Sequence, residues 1–176
     1  RFSEELVCLS NCFVCYRPPS DAFVVATLPS SVSGCVTFGS FNNLVKVTPE
    51  VIGLWSKVLC AVPKSELILK DKTLIDAGQR KRFLDLFARN GIPAERIELL
   101  SGTLAPAHLA DYSRVDIGLD PFPYGGCTTT CEALWMGVPV VTLAGVMSYS
   151  RFGVSLLSNL GVDDLIAKTP DEYVEK

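Results

Sequence analysis

The residues best suited to chemistry stand together in Asp120-Pro-Phe-Pro-Tyr-Gly-Gly-Cys-Thr-Thr-Thr-Cys-Glu132. Gly125 and Gly126 let a backbone approach a ligand closely. Thr128, Thr129 and Thr130 put hydroxyls and unpaired backbone N–H groups at the start of a predicted helix, an arrangement suited to a diphosphate. A plainer use exists for part of it: Thr129 and Glu132 fit a Thr-x-x-Glu capping box. Three threonines and two glycines exceed what capping needs. A second stretch, Phe38-Gly-Ser-Phe-Asn-Asn-Leu-Val-Lys46, ends on a cation. Lys46 could neutralise charge building on a leaving diphosphate; taken alone it reads as a solvated surface lysine. His108, the single histidine, could stack on a nucleobase; on spacing alone it reads as a surface or capping residue. Cys8, Cys12 and Cys15 have the Cys-x-x-x-Cys-x-x-Cys spacing of an iron–sulfur ligand set and could give three ligands to zinc. Their apolar neighbours and the lack of a nearby fourth ligand argue against both, so no metal site is expected. There is no Asp-x-Asp, no Gly-x-Gly-x-x-Gly and no Walker A loop, which removes the main support for metal-bound diphosphate, dinucleotide and P-loop readings.

The elements that must position these residues alternate. Strands are predicted at 35–38, 66–69, 96–100, 115–119 and 138–143. Between them, Thr48-Pro49 caps and opens a helix with Val51, Leu54, Trp55, Val58 and Leu59 at helical spacing. A second helix runs over 76–90 and ends at Gly91. A short one covers 106–113, and another runs over 129–136 and stops at Gly137. Helical pieces follow over 149–160 and from Thr169 onward. Such alternation implies an α/β fold with a Rossmann-like parallel sheet, right-handed crossovers and flanking helices. Ligands then bind beyond the carboxyl ends of the strands, where both motifs lie. Residues 1–34 differ, with Pro18, Pro19, Pro29 and a Ser-rich stretch, and read as a linker into a domain over 35–176.

The chain has 176 residues, 48% of them hydrophobic, and a net charge of −3, enough for one packed core and without the basic stripe of a nucleic-acid groove. No nucleic-acid partner is expected. The longest apolar stretch, Ala133 to Met147, is too short and too broken by Gly137, Pro139 and Gly145 to span a bilayer. Of the seven cysteines, several sit in apolar strings, and they read as mostly reduced, buried thiols and a cytoplasmic setting. The first residue is Arg1, and Glu172 to Lys176 read as the opening turn of a helix that is then cut, as expected of a piece of a longer protein.

The two motifs, extended through Thr142 and joined by Ala167-Lys168 with Glu172-Tyr173, resemble the catalytic region of the O-GlcNAc transferase/SPINDLY family. The opening Glu4-Glu-Leu-Val-Cys-Leu with Cys12-Phe-Val-Cys-Tyr16 is similar to the segment joining that family's two catalytic lobes. The resemblance implies the C-terminal, donor-binding lobe of a GT-B glycosyltransferase, metal-independent and inverting, with no cofactor. It implies that Lys46 contacts the donor diphosphate and assists its departure, with Asn43 beside it. It also implies that His108 stacks on the base, that Thr128 and Thr129 bind phosphate with Gly126 in close approach, and that Glu132 binds the ribose hydroxyls. Cys127 stands where the animal branch has a histidine near the donor sugar, and Ala105 where that branch has a lysine on the nucleotide. The donor is expected to be UDP-GlcNAc, with GDP-fucose as the alternative. Acceptors would be Ser and Thr of intracellular proteins, nucleocytoplasmic in a eukaryote, presented by a TPR array and an N-terminal lobe outside this chain. Alone, the chain is expected to bind donor weakly and transfer little. A non-catalytic nucleotide-sugar sensor and a scaffold with a vestigial pocket are the other classes; Lys46 separates enzyme from sensor.

Overall fold

A computed structural model describes residues 3, 5, 7, 11, 12, 14–19, 25–104 and 107–176. Six parallel strands form one sheet: β1 (Val36–Ser40), β2 (Ser65–Asp71), β3 (Ile97–Ser101), β4 (Ile117–Leu119), β5 (Val140–Leu143) and β6 (Ile166–Ala167). Their spatial order is β3-β2-β1-β4-β5-β6. The chain winds outward from β1 to β3, then crosses back to lay β4 on the other side of β1, pairing Phe38 with Ile117. The order therefore reverses between β1 and β4, and the crevice beyond their carboxyl ends is where such sheets bind ligands.

The helices are α1 (Pro29–Ser33), α2 (Pro49–Ala61), α3 (Ala77–Arg89), α4 (Ala107–Ala110), α5 (Thr128–Trp135), α6 (Phe152–Leu160) and α7 (Pro170–Glu175). Thr48 caps α2 by accepting from the Val51 N–H, with Pro49 in the first turn, and Asp76 caps α3 through the Gln79 N–H. Side chains alternate across the sheet with period two. Leu67 and Leu69 on β2 join Val51, Trp55, Leu59, Phe83 and Phe87 on one face. Ile68 between them joins Phe41, Leu109, Tyr112, Ala133 and Val140 on the other.

The boundaries depart from the sequence reading where a polar partner intervenes. The fourth strand starts at Ile117 rather than Val115, because Asp116 turns its carboxylate onto the Thr37 N–H at 2.8 Å and the Ser30 N–H at 2.9 Å. The second of these bonds ties α1, a helical turn within the Ser-rich stretch, to the sheet. The short helix before β4 gives way at Asp111 to a 3-10 turn, Asp111–Arg114, with Asp111 held by Lys70. The helix expected over 149–160 begins at Phe152, after a 3-10 turn at Ser148–Ser150. The sixth strand, two residues long, was not anticipated; it pairs Thr142 with Ile166. Among the described residues, no helix is long and apolar enough to cross a membrane.

Candidate functional site

Beyond β1 the chain turns through Asn42 and Asn43 into a 3-10 turn, Leu44–Lys46. Asn43 caps this turn, its Oδ1 accepting from the Val45 N–H at 3.0 Å, so its role is to set the turn that carries Lys46. The Lys46 ammonium reaches across to β4's loop. It donates to the Gly125 carbonyl at 2.9 Å and lies 4.5 Å from the centre of the Tyr124 ring. Burial pulls its pKa down, while the charges of Asp120 and Cys127 push it back up.

The loop that receives Lys46 is braced from below by Asp120, at the end of β4 and fully buried. Its Oδ1 accepts from the Gly126 N–H at 2.6 Å and its Oδ2 from the Thr142 hydroxyl at 2.7 Å. The Asp120 carbonyl accepts from the Tyr173 hydroxyl, which itself accepts from the Trp55 indole N–H. Burial raises the Asp120 pKa to about 6, against the opposing pull of the Gly126 N–H, the Thr142 hydroxyl and Lys46.

Gly126 then leads into α5. A Cβ at this glycine would stand 2.5 Å from Thr130 Oγ1, 2.9 Å from Thr129 Oγ1 and 3.0 Å from Asn42 Oδ1. Only hydrogen fits, and the backbone can approach the helix start. The capping-box reading fails here. Cys127 is the N-cap residue, with no side-chain cap. The Thr129 hydroxyl donates instead to Asn42 Oδ1 at 2.9 Å, and Glu132 faces His108. The first-turn N–H groups of α5 therefore have no side-chain acceptor from the cap, and a helix start in that state attracts anions. Thr128 is exposed at this opening, and burial raises the pKa of the half-buried Cys127 thiol, with Cys12 adding to the rise and Lys46 opposing it.

A second group lies beside α5. His108 Nε2 is 3.2 Å from Glu132 Oε2. The Phe41 ring is 6.0 Å from the His108 ring, and Tyr112 meets the imidazole edge-on at 5.8 Å. Tyr112 also donates to the Thr129 carbonyl at 3.1 Å. Tyr16, from the N-terminal segment, has a buried hydroxyl without a hydrogen-bond partner. Its pKa is raised by burial first and by the Glu132 and Cys131 charges after that.

The structure thus brings Lys46, Asn43, Gly126, Cys127, Thr128 and Thr129 to one mouth, with His108 and Glu132 paired alongside. Ala105 and Cys8 lie outside the described residues. Among the described residues, no group of three or more His, Cys, Asp or Glu side chains is placed to hold a metal ion. Sequence reasoning missed Asp120, Asn42 and Lys70. The buried Lys70 ammonium bonds Asp111 at 2.5 Å and Thr103 at 2.7 Å and lies 5.4 Å from the centre of the Phe41 ring, beneath the histidine. A lysine directly after the apolar run Leu67-Ile68-Leu69 of β2 was the available signal.

The glycosyl transferase family 41 model matches residues 23–176. The chain belongs to that family. It is 49% identical over 173 residues to the probable UDP-N-acetylglucosamine–peptide N-acetylglucosaminyltransferase SPINDLY of Arabidopsis thaliana, covering 98% of this chain and 19% of that protein. It is 34% identical over 160 residues to the UDP-N-acetylglucosamine–peptide N-acetylglucosaminyltransferase of Caenorhabditis elegans, covering 90% and 12%. Among solved structures, a lysine-to-methionine mutant of the Thermobaculum terrenum O-GlcNAc transferase superposes with a TM-score of 0.90 at 40% identity, over 98% of this chain and 32% of that one. This family 41 chain therefore spans about a fifth of the length of its SPINDLY relatives. Its six-stranded parallel sheet with flanking helices matches part of the Thermobaculum terrenum structure, in the manner of a GT-B glycosyltransferase lobe.

Proposed function

We propose that this chain is the donor-binding, C-terminal lobe of an inverting, metal-independent protein O-glycosyltransferase, and that its donor is UDP-GlcNAc. The observation that carries the reading is the meeting of Lys46 with the α5 start across Gly125, at the point where strand order reverses. A diphosphate seated there takes the ammonium on one side and the free N–H groups and threonine hydroxyls on the other. Both stabilise negative charge as it develops on the leaving nucleotide, which is the role a bound cation would otherwise fill. Neither needs a cofactor. His108 serves the base and Glu132 the ribose hydroxyls, on opposite ends of one hydrogen bond that the nucleoside would divide. GDP-fucose is the alternative donor, since the names of the similar proteins support the first and no residue at the mouth selects between the bases. The acceptors are Ser and Thr side chains of cytoplasmic proteins, presented by parts of the protein outside this chain. The free thiols at Cys12, Cys15, Cys35, Cys60, Cys127 and Cys131 support a reducing compartment.

Calorimetric titration of the intact protein and its Lys46→Ala variant with UDP-GlcNAc, GDP-fucose, UDP and GDP tests the reading, paired with a transfer assay. One nucleotide family should bind selectively. Lys46→Ala should lower kcat by about 10²–10³-fold, as removal of a group acting on developing charge does, and weaken donor binding much less. Selective nucleotide binding by the intact protein that Lys46→Ala weakens only modestly, with no transfer by either form, would mark a sensor. No binding by the intact protein would sink the proposal.

A further inference from the structure

The Gly125–Gly126 peptide group stands between two opposite charges. Its carbonyl accepts from the Lys46 ammonium at 2.9 Å, and its N–H, on the other side of the same plane, donates to Asp120 Oδ1 at 2.6 Å. A peptide dipole so placed is attracted at both ends. Its freedom is otherwise large, because glycines flank it on both sides and a turn built of glycine has no Cβ to fix its plane. Asp120 is itself pinned by the Thr142 hydroxyl from β5. It is also crowded by Gly125 and Gly153, where a Cβ on either would come to 3.0 Å from Oδ2. Three parts of the fold, the glycine loop, β5 and α6, therefore close on one fully buried carboxylate.

We infer that Asp120 is the positioning residue of this site, acting on Lys46 through the Gly125–Gly126 peptide and holding the lysine charged and aimed at the donor diphosphate. The inference rests on the donor-site reading above. The other groups facing Asp120 are few. Among the described residues, Lys46 is the cation acting on it, Tyr173 donates to its backbone carbonyl, Thr142 is neutral, and Cys127 acts on Lys46. Asp120 takes up a proton near pH 6. A neutral carboxyl still fills the space, but the peptide is then held by charge on the lysine side alone.

The test is Asp120→Asn in the intact protein. Asparagine can accept from Gly126 and donate to Thr142, so the packing is retained and only the charge is lost. The variant should lose about 10- to 100-fold in kcat, the scale of a misplaced catalytic group, with donor KM little changed. The wild-type acid limb of kcat/KM near pH 6 should disappear. Competitive acylation with acetic anhydride, read by mass spectrometry, reports Lys46 without any need for turnover. With its counter-charge gone, Lys46 should label faster at pH 8, by about threefold or more, because a larger share of it is then free amine. Unchanged labelling together with an unchanged acid limb would overturn the assignment. If the wild-type protein transfers no sugar, the functional reading falls, while the labelling still decides whether Asp120 governs Lys46. Should Asp120→Asn fail to fold, Thr142→Val removes one hydrogen bond from the same carboxylate and should move the acid limb to higher pH; no movement would count against the assignment.

Discussion

A carboxylate sealed from water, as at Asp120, carries a stability consequence whose sign can be worked out. Its folded pKa of about 6 lies above its ordinary value of 3.8, with burial as the main cause. The folded chain therefore holds the proton more tightly than the unfolded chain does. That contribution is complete below about pH 3.8 and is lost as pH rises through about 6, so the ionised form weighs against folding at neutrality by roughly 3 kcal/mol. Denaturant titrations of Asp120→Asn should show its stability relative to wild type rising between pH 4 and pH 7.5, by up to that amount. A pH-independent difference would contradict the assigned ionisation. Gly126 and Thr129 could be singled out because paired glycines and a run of threonines suit an anion, and Lys46 only in the company of that stretch. Asp120 and Asn42 stood in the same two motifs and were not, since their tasks depend on partners brought in by the fold. Asn42 meets Thr129 from 87 positions away, and no local pattern encodes that meeting.

Between neighbouring elements, Lys70 shows how the histidine is placed. It leaves the end of β2 inside the core and gathers Thr103 and Asp111 from the segments on either side of α4. The helix it steadies has only four residues, too few to hold His108 by its own hydrogen bonding. Replacing Lys70 with Met should cost about 1–3 kcal/mol, the range for hydrogen bonds to a charged group. Nucleotide affinity should fall as well, because His108 and the Phe41 ring beneath it lose their support; calorimetry reads both. Helix existence was well marked in the sequence by Thr48, Asp76 and Gly137. Strand limits were not, because Val115 is apolar enough for a strand and only the capture of Asp116 by Thr37 and Ser30 takes it out of one. The two-residue β6 has no periodicity to read at all.

Across the whole molecule, strand–helix alternation predicts parallel pairing but not the spatial order of the strands. That order puts β1 beside β4 and brings residues 43–46 to residues 120–128. Tyr173 extends the connection to the far end of the described chain. Its hydroxyl links the α2 tryptophan to the end of β4, so the last helix is bonded to the backbone of the residue that braces the site. Tyr173→Phe strands both the Trp55 N–H and the Asp120 carbonyl in the interior. It should destabilise the chain by roughly 1–3 kcal/mol, seen as a lower melting temperature. The N-terminal segment also reaches the site region: Cys12 Sγ lies 3.3 Å from the Ser155 hydroxyl on α6, and the charges of α5 residues Glu132 and Cys131 act on the Tyr16 hydroxyl.

The crowding at Gly126 has a genetic reading. Every one-base change of a glycine codon that replaces glycine with another amino acid brings in a residue with a Cβ. At this position that atom would meet two hydroxyls and an amide oxygen at once, two of them within 2.9 Å. The codon therefore has no neighbouring missense change that leaves the turn intact. A saturation library selected for transfer activity should return glycine alone at 126, while Thr128, two residues further on at the start of α5 and open to solvent, should admit serine.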